Sequence, residues 1–470
     1  MKPAEIIVLD VGKTLSKLSA WTSDGELVER AARPNASPQT PHYRALDTEA
    51  TFEWVVETLT EFSKRGPIRA IIPVCHGASA ALVRDGQLVA PPMDYEQPVP
   101  DAIREAYWAE RDPFAVNGSP SLPDGLNLGT QLFWLQSINP GLFDAATIMP
   151  LAQFWAWRLS GVATSEVTSL GCHTDLWSPA EQDFSPMAKR LGWAEKFAPL
   201  ARAGDVIGRL SPDLAAKTGL SERVEIHCGL HDSNAALVAA RGFPEIADAD
   251  CTILSTGTWF VAMRSMADAF DPASLEPGRD CLINVDIAGR PVPSARFMGG
   301  REIETLIGID TRRVDIKPDQ PEMLASVAPV IANEAMLLPT FAPGFGPFPE
   351  TKGTWLNQPD NWFQRRAAAC LYAAMVMDES LDLIGARGTL LVEGRFAEAE
   401  VFVRGLARLR PDMKVYTTHA HNDVSFGALR LLNPDLKPAT PLSPVRPLED
   451  ELAAYQTAWR DRVNEQGVVA

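Results

Sequence analysis

The chain reads as an α/β protein of two domains, and three observations predict this. Its 470 residues exceed what one hydrophobic core ordinarily serves, so two domains of roughly 200 residues each are expected. Apolar runs of strand length, IIVLD (6–10), IRAIIPVC (68–75), VEIHC (224–228) and TLLVEG (389–394), end in polar or glycine loops, and helical patterns separate them. Finally, IIVLDVGKTLSKLSAW (6–21) has a weak internal counterpart in DADCTILSTGTWFVAMRS (248–265). There Leu9-Asp10-Val11-Gly12 lies over Leu254-Ser255-Thr256-Gly257. The boundaries expected are 1–245, 246–440 and a tail, 441–470.

Composition narrows the partners. With 46% hydrophobic and 22% charged residues the chain is globular. A net charge of −17 repels nucleic acid and anionic membranes, so neither is expected as a partner. A nucleotide is still allowed, because a local cluster of N–H groups with Mg²⁺ outweighs a diffuse field. The six cysteines (75, 172, 228, 251, 281 and 370) contain no C-x-x-C pair, which suits free thiols in a reducing cytoplasm. Asp10 interrupts the only early apolar run, so no signal peptide is expected. No stretch approaches the ~20 apolar residues of a membrane span.

The first loop contains Gly12-Lys13-Thr14, which imitates the end of a P-loop. It is not one, because Ile7 stands where the first glycine of G-x-x-x-x-G-K-[ST] belongs, and a second strand follows instead of a helix. LSKLSAW, an Asp24-Gly25 turn and ELVER read as a hairpin. Gly12 can still present backbone N–H groups to phosphate. An aspartate beside phosphate needs a cation between them, which places Asp10 near Mg²⁺ with Thr14 and Lys13 or Lys17 nearby. The bland reading is a hairpin whose aspartate caps a turn.

The following elements continue the α/β plan. In TEATFEWVVETLTEFSKRG, Phe52, Val55, Val56, Leu59 and Phe62 recur at helical spacing before Gly66-Pro67. IRAIIPVC then ends at His76-Gly77, and ligands sit beyond the carboxyl ends of strands in α/β sheets. Trp- and Leu-rich helical segments fill most of 127–160. VEIHCG reads as a strand and SNAALVAAR as a helix, with His231 and Asp232 between them. Asp232 at the helix start is either an ordinary cap or a functional carboxylate, which the helix dipole would keep ionised. Residues 339–355 form a Pro/Gly/Phe-rich loop without regular pattern. A helix from about 362 to 384, a strand ending at Gly394, and a strand–loop–helix in VYTTHAHNDVSFGALRLL complete the order, before a Pro-rich stretch and a helical tail.

Taken in order, D-x-G-x-T-x-x-K at the start, C-H-G at 75–77, G-L-H-D at 229–232, S-T-G-T at 255–258, the glycine turn at 394 and F-G-A-L at 426–429 form a set. APPMDYE (90–96), NLGTQLFWL (127–135) and TSEVTSLGCHTDLW (164–177) agree with it. This set resembles the FGGY family of carbohydrate kinases, in the superfamily of sugar kinases, Hsp70 and actin, and in particular a subgroup with a D-I-G-K-T type opening. The resemblance extends to about residue 435.

The resemblance implies two ribonuclease H-like (actin-like ATPase) domains with an active-site cleft between them. It implies ATP and Mg²⁺ as cofactors and a small sugar as substrate, a ketose such as L-fuculose, L-rhamnulose or a pentulose. It makes Asp10 the metal-positioning residue. Gly12, Lys13, Thr14 and Lys17 would line the first phosphate loop, and Thr256, Gly257 and Thr258 the second. Gly394 would lie against adenine, His76, Gly77 and His231 would line the sugar pocket, and Asp232 would be the general base. Two departures stand out: Lys13 intervenes between the loop glycine and Thr14, and Glu393-Gly394-Arg395-Phe396 replaces a run of glycines. A nucleotide-binding chaperone or filament protein is the alternative; it would need the phosphate loops but neither the sugar-side loops nor a base. A homodimer is left open.

Overall fold

A computed structural model describes residues 2–247, 250–266, 270–311, 315–418 and 424–468. The chain divides into two compact units. The first comprises Met1–Gly242, Ile283–Pro291 and Asn422–Pro438; the second comprises Phe243–Leu282, Val292–His421 and Ala439–Ala470. Two short segments beyond residue 245 therefore pack with the first unit.

In the first unit, β1 (Ile6–Val11), β2 (Leu15–Trp21) and β3 (Leu27–Pro34) form an antiparallel meander, and β4 (Ala70–Cys75) lies parallel on the other side of β1. Beyond β4 come Glu225–His227 and the edge strand Val206–Arg209, while Leu230–His231 also pairs with β4. The apolar run of β1 is continuous because both faces of this sheet are covered. Ile7, Leu9 and Val11 join one core, with Val55, Leu59 and Phe62 of α1 (Thr48–Phe62). Ile6 and Val8 join another on the opposite face, with Ile72, Val74, Leu230 and Leu429. Asp47 caps α1 by accepting a hydrogen bond from the Ala50 N–H at 3.1 Å. The F-G-A-L motif is explained by packing: a Cβ on Gly427, in the helix Val424–Leu432, would overlap the backbone of Ala235.

The second unit repeats the plan. Cys251–Thr256 and Phe260–Ser265 form an antiparallel hairpin, Pro291–Phe297 lies antiparallel beside Phe260–Ser265 with Cys281–Val285 beyond it, and Thr389–Gly394 and Lys414–Thr417 extend the other side in parallel. The expected long helix spans Trp362–Leu383 and buries Leu371, Met375 and Leu381. Most of the 339–355 loop is irregular, but its end enters the strand Thr354–Leu356, which pairs with Met336–Leu338. Of the VYTTHAHNDVSFGALRLL segment, the strand and the helix are present, and residues 419–423 lie outside the described residues.

Two local readings change. VEIHCGLH is not one strand and a loop but two short strands, Glu225–His227 and Leu230–His231. The break falls at Gly229, whose φ of +80° suits glycine, and the N–H groups of Cys228 and Gly229 bond to the carbonyls of Asp205 and Ala203, just before the edge strand. The two matching hairpins also differ in length. In the first, Val11 pairs with Ser16 and a Gly12 N–H to Leu15 carbonyl bond closes the turn over Lys13-Thr14. In the second, Thr256 pairs with Phe260 and Gly257 bonds directly to Trp259 across Thr258 alone. Lys13 is thus the extra residue of the first copy. Among the described residues, no helix is long and apolar enough to cross a membrane.

Candidate active site

Three neighbouring parallel strands of the first unit end together: β1, β4 and Leu230–His231, with Val11 opposite Cys75 and Cys75 opposite His231. Their carboxyl ends deliver Asp10, His76 and the His231-Asp232 pair to one edge of the sheet. This is where backbone groups run out of ladder partners and side chains can meet a ligand.

Asp10 is buried, and its register partner on β2 is Lys17, whose Nζ donates to Asp10 Oδ2 at 3.0 Å. The ammonium occupies the position of a cation against this carboxylate. Among the described residues no group of three or more His, Cys, Asp or Glu side chains could hold a metal. The site fits Mg²⁺ in its common mode, with one carboxylate supplemented by water and substrate phosphate oxygens. The turn after Asp10 is held from behind by Asn35: its side chain donates to the Gly12 carbonyl at 2.7 Å, and its N–H to the Thr14 carbonyl at 2.9 Å. The Gly12 and Thr14 carbonyls are thereby engaged, and Thr14 is exposed. Lys13 turns aside to Asp94.

The residues expected on the sugar side are tightly packed. His76 is buried, its ring nitrogen Nδ1 sits 2.9 Å from the Gly77 carbonyl, and its ring meets Tyr95 edge-on at 5.3 Å. A Cβ on Gly77 would press on Cys172 Sγ and His231 Nε2, so glycine is required for close approach. Burial pushes His231 down to about 4, so its imidazole is neutral at physiological pH. Its Nε2 lies 3.2 Å from Asp232 Oδ1.

Asp232 is the first residue of the helix Asp232–Ala240, not its cap; that position belongs to His231. Its carboxylate accepts from the adjacent Ser233 N–H at 2.6 Å and hydroxyl at 3.4 Å, without reaching the next turn as a capping side chain does. The expectation that the helix dipole dominates its ionisation is corrected. Burial raises the Asp232 carboxyl above its ordinary value, while His76 and Lys17 oppose the rise. Burial, reinforced by the charges of Asp10 on the neighbouring strand and Asp232 at the helix start, likewise pushes the Cys75 thiol upward.

The second unit offers a separate loop. The Thr256 side chain turns inward, its hydroxyl donating to the Glu393 carbonyl at 2.5 Å and accepting from the Phe396 N–H at 3.1 Å. Gly257 and Thr258 are half-buried at the turn. Gly394 is the register partner of Thr256 and has φ +89°; a Cβ there would run into the Thr256 backbone. Arg395 donates to Glu304 Oε1 and to the Thr311 hydroxyl, both at 3.0 Å.

Sequence reasoning passed over the helix Gly299–Ile307, which packs its first turn on the second loop. A Cβ on Gly300 would overlap the Gly257 carbonyl oxygen, and the Arg301 N–H reaches the Thr258 carbonyl at 3.3 Å. Thr258, Arg301, Glu304, Thr305, Gly308 and Asp310 line a cavity of about 440 Å³ beside it. The available signal was the Gly299-Gly300 pair opening a helix directly after a strand. Also missed was Glu166, fully buried beneath His231 and pushed up to about 7 by burial, against hydrogen bonds from Thr168 and Ser169. The Thr168 hydroxyl donates to Glu166 at 2.6 Å and accepts from the His231 N–H at 3.1 Å.

Residues 122–239 match the N-terminal domain of the FGGY family of carbohydrate kinases, and residues 248–440 match the carbohydrate kinase FGGY C-terminal domain. A carbohydrate kinase from Novosphingobium aromaticivorans is 56% identical, with a TM-score of 0.96 over 99% of this chain and 100% of that one. Gluconate kinase from Lactobacillus acidophilus shares the fold, with a TM-score of 0.80 at 15% identity over 99% of both chains. The L-fuculokinase of Escherichia coli K12 is 29% identical over 282 residues, which are 56% of this chain and 57% of the relative's length. Together the two domain matches, the sequence identity to a carbohydrate kinase along its full length and the repeated sheet plan make this chain a member of the FGGY family of carbohydrate kinases.

Proposed function

We propose that this chain transfers the γ-phosphoryl group of ATP to a hydroxyl of a small sugar, and that the sugar is a ketose of the L-fuculose, L-rhamnulose or pentulose type. The observation that carries the reading is Asp232, a carboxylate delivered beside His231 and His76 at the ends of parallel strands and left out of helix capping. The similarity to L-fuculokinase supports L-fuculose as the first ketose to test.

Phosphoryl transfer asks for positioning and charge neutralisation more than covalent chemistry. Asp232 would orient the attacking hydroxyl and take its proton as the O–P bond forms. Neutral His231 and the His76 ring would shape the sugar side. The Gly12 and Gly257 turns would offer N–H groups to phosphate oxygens, with Lys17 adding positive charge. Mg²⁺, when bound near Asp10, would offset charge on the phosphate oxygens. The cavity lined by Thr258, Arg301 and Glu304 would receive the nucleoside end. The alternative, a chaperone or filament protein, is not favoured by the family match.

A panel of ketoses and polyols in a coupled ADP-release assay tests the proposal. Sugar-dependent ADP release with L-fuculose, L-rhamnulose or a pentulose is expected. Nucleotide hydrolysis indifferent to every sugar and polyol in the panel would overturn it.

A further inference from the structure

We propose that Lys13 is a positioning residue that locks the Asp94-Tyr95-Glu96 segment against the first loop, so that it governs sugar affinity and not nucleotide affinity. The inference rests on the sugar-kinase reading and replaces the expectation, drawn from the resemblance, that Lys13 lines the phosphate loop.

The residue is an insertion relative to the second hairpin, and its side chain shows where the extra residue is used. The Lys13 ammonium contacts Asp94 Oδ1, lies 3.7 Å from Glu96 Oε2 and sits over the Tyr95 ring at 5.0 Å from its centroid. Two carboxylates and an aromatic face thus surround a group with three donors and one charge. Little of that charge is left to offer a triphosphate.

Asp94 is built to receive it. Its side chain is only 3% exposed, and both of its oxygens are engaged: Oδ1 takes Lys13 and the Glu96 N–H at 2.9 Å, and Oδ2 takes Arg44 Nε at 3.0 Å. A buried carboxylate holding two cations is costly to release, because removing either partner leaves charge in a poorly hydrated place. The turn that Lys13 belongs to is itself pinned by Asn35. The segment it holds carries Tyr95, whose ring packs edge-on against His76. A chain of contacts therefore runs from the phosphate-loop hairpin through Lys13 and Tyr95 to the His76 ring, and none of its links requires bound nucleotide.

The test compares Lys13→Met, Asp94→Asn, the double variant and Lys13→Arg, with L-fuculose and ATP as probes. The apparent KM for L-fuculose should rise about tenfold in each single substitution, as for loss of a partly buried ion pair, while KM for ATP stays within about twofold. The double variant should be no worse than the weaker single one, and Lys13→Arg should restore most of the sugar affinity. A raised KM for ATP with sugar KM unchanged, or fully additive effects of the two substitutions, would overturn the proposal. If the wild-type protein does not use L-fuculose, hydrogen exchange keeps the question open to measurement independently of the kinase reading. Peptides covering residues 90–96 should then exchange faster in Lys13→Met, with β1 unchanged, and equal exchange in both segments would overturn the lock.

Discussion

Asp10 and Lys17 face each other across β1 and β2 as register partners, with 3.0 Å between Nζ and Oδ2. The carboxylate is buried, whereas the lysine side chain is about one-third exposed. Replacing Lys17 by methionine takes a cationic partner away from the buried carboxylate of Asp10. The expected loss is about 2–4 kcal/mol of unfolding free energy, and the Asp10→Asn, Lys17→Met pair should recover part of it. Urea unfolding of the four proteins forms the thermodynamic cycle. Additive losses would mean the two residues act independently.

Asp232→Asn tests the base. The amide fills the same space, and burial already favours an uncharged group there, so the fold and ADP binding should persist. The turnover number with a cognate sugar should fall by roughly 10²–10⁴, the range for a lost general base. Turnover within tenfold of wild type would remove Asp232 from the chemistry.

Glu166 gives a pH signature. Its carboxyl is raised from 4.5 to about 7 in the folded chain, so the native state holds a proton that the unfolded state has released. Stability from this group is present below pH 4.5 and is lost as pH rises to about 7. The Glu166→Gln variant is free of that loss. Relative to wild type it should gain on the order of 2–3 kcal/mol between pH 5 and pH 8, measured by urea titration at both values. A difference that does not change with pH would show that the carboxyl is ionised throughout.

Gly300→Ala addresses the second loop. A methyl group at this position meets the Gly257 carbonyl, a backbone atom that cannot rotate away. Overpacking of this kind costs about 1–3 kcal/mol. The distortion should also raise KM for ATP more than KM for sugar, read by steady-state kinetics alongside thermal unfolding. An unchanged KM for ATP would detach the Gly299–Ile307 helix from nucleotide binding.

Much of this architecture was legible because local and global preferences agree. The doubly covered strands IIVLDV and AIIPVC are apolar except for Asp10, and α1 shows its buried Val55, Leu59 and Phe62 at helical spacing. The motif residues at strand ends were visible for the same reason: Asp10, His76 and Asp232 interrupt apolar runs. What was not legible depends on contacts distant in sequence. The short strand Leu230–His231 exists because β4 offers ladder partners, which nothing within GLHD reveals. The destination of Lys13 could not be read either, since Asp94 lies far along the chain and is ordinary in composition. Glu166 looks like a helix-start acid, and only its burial sets it apart.

The unequal hairpins bear on protein engineering. Side chains alternate across a pleated strand, so the extra residue must be absorbed within the turn, and the flanking pairs Val11–Ser16 and Thr256–Phe260 show that it is. The two halves cannot be superposed in an alignment without a gap after the glycine, and a graft of one turn onto the other unit would bring a turn one residue longer or shorter than its surroundings are built for. Asn35 at the far end of the meander and Asp94 outside it are both moulded to the longer version. The first turn is therefore not a portable cassette: a chimera that moves it must bring both residues along.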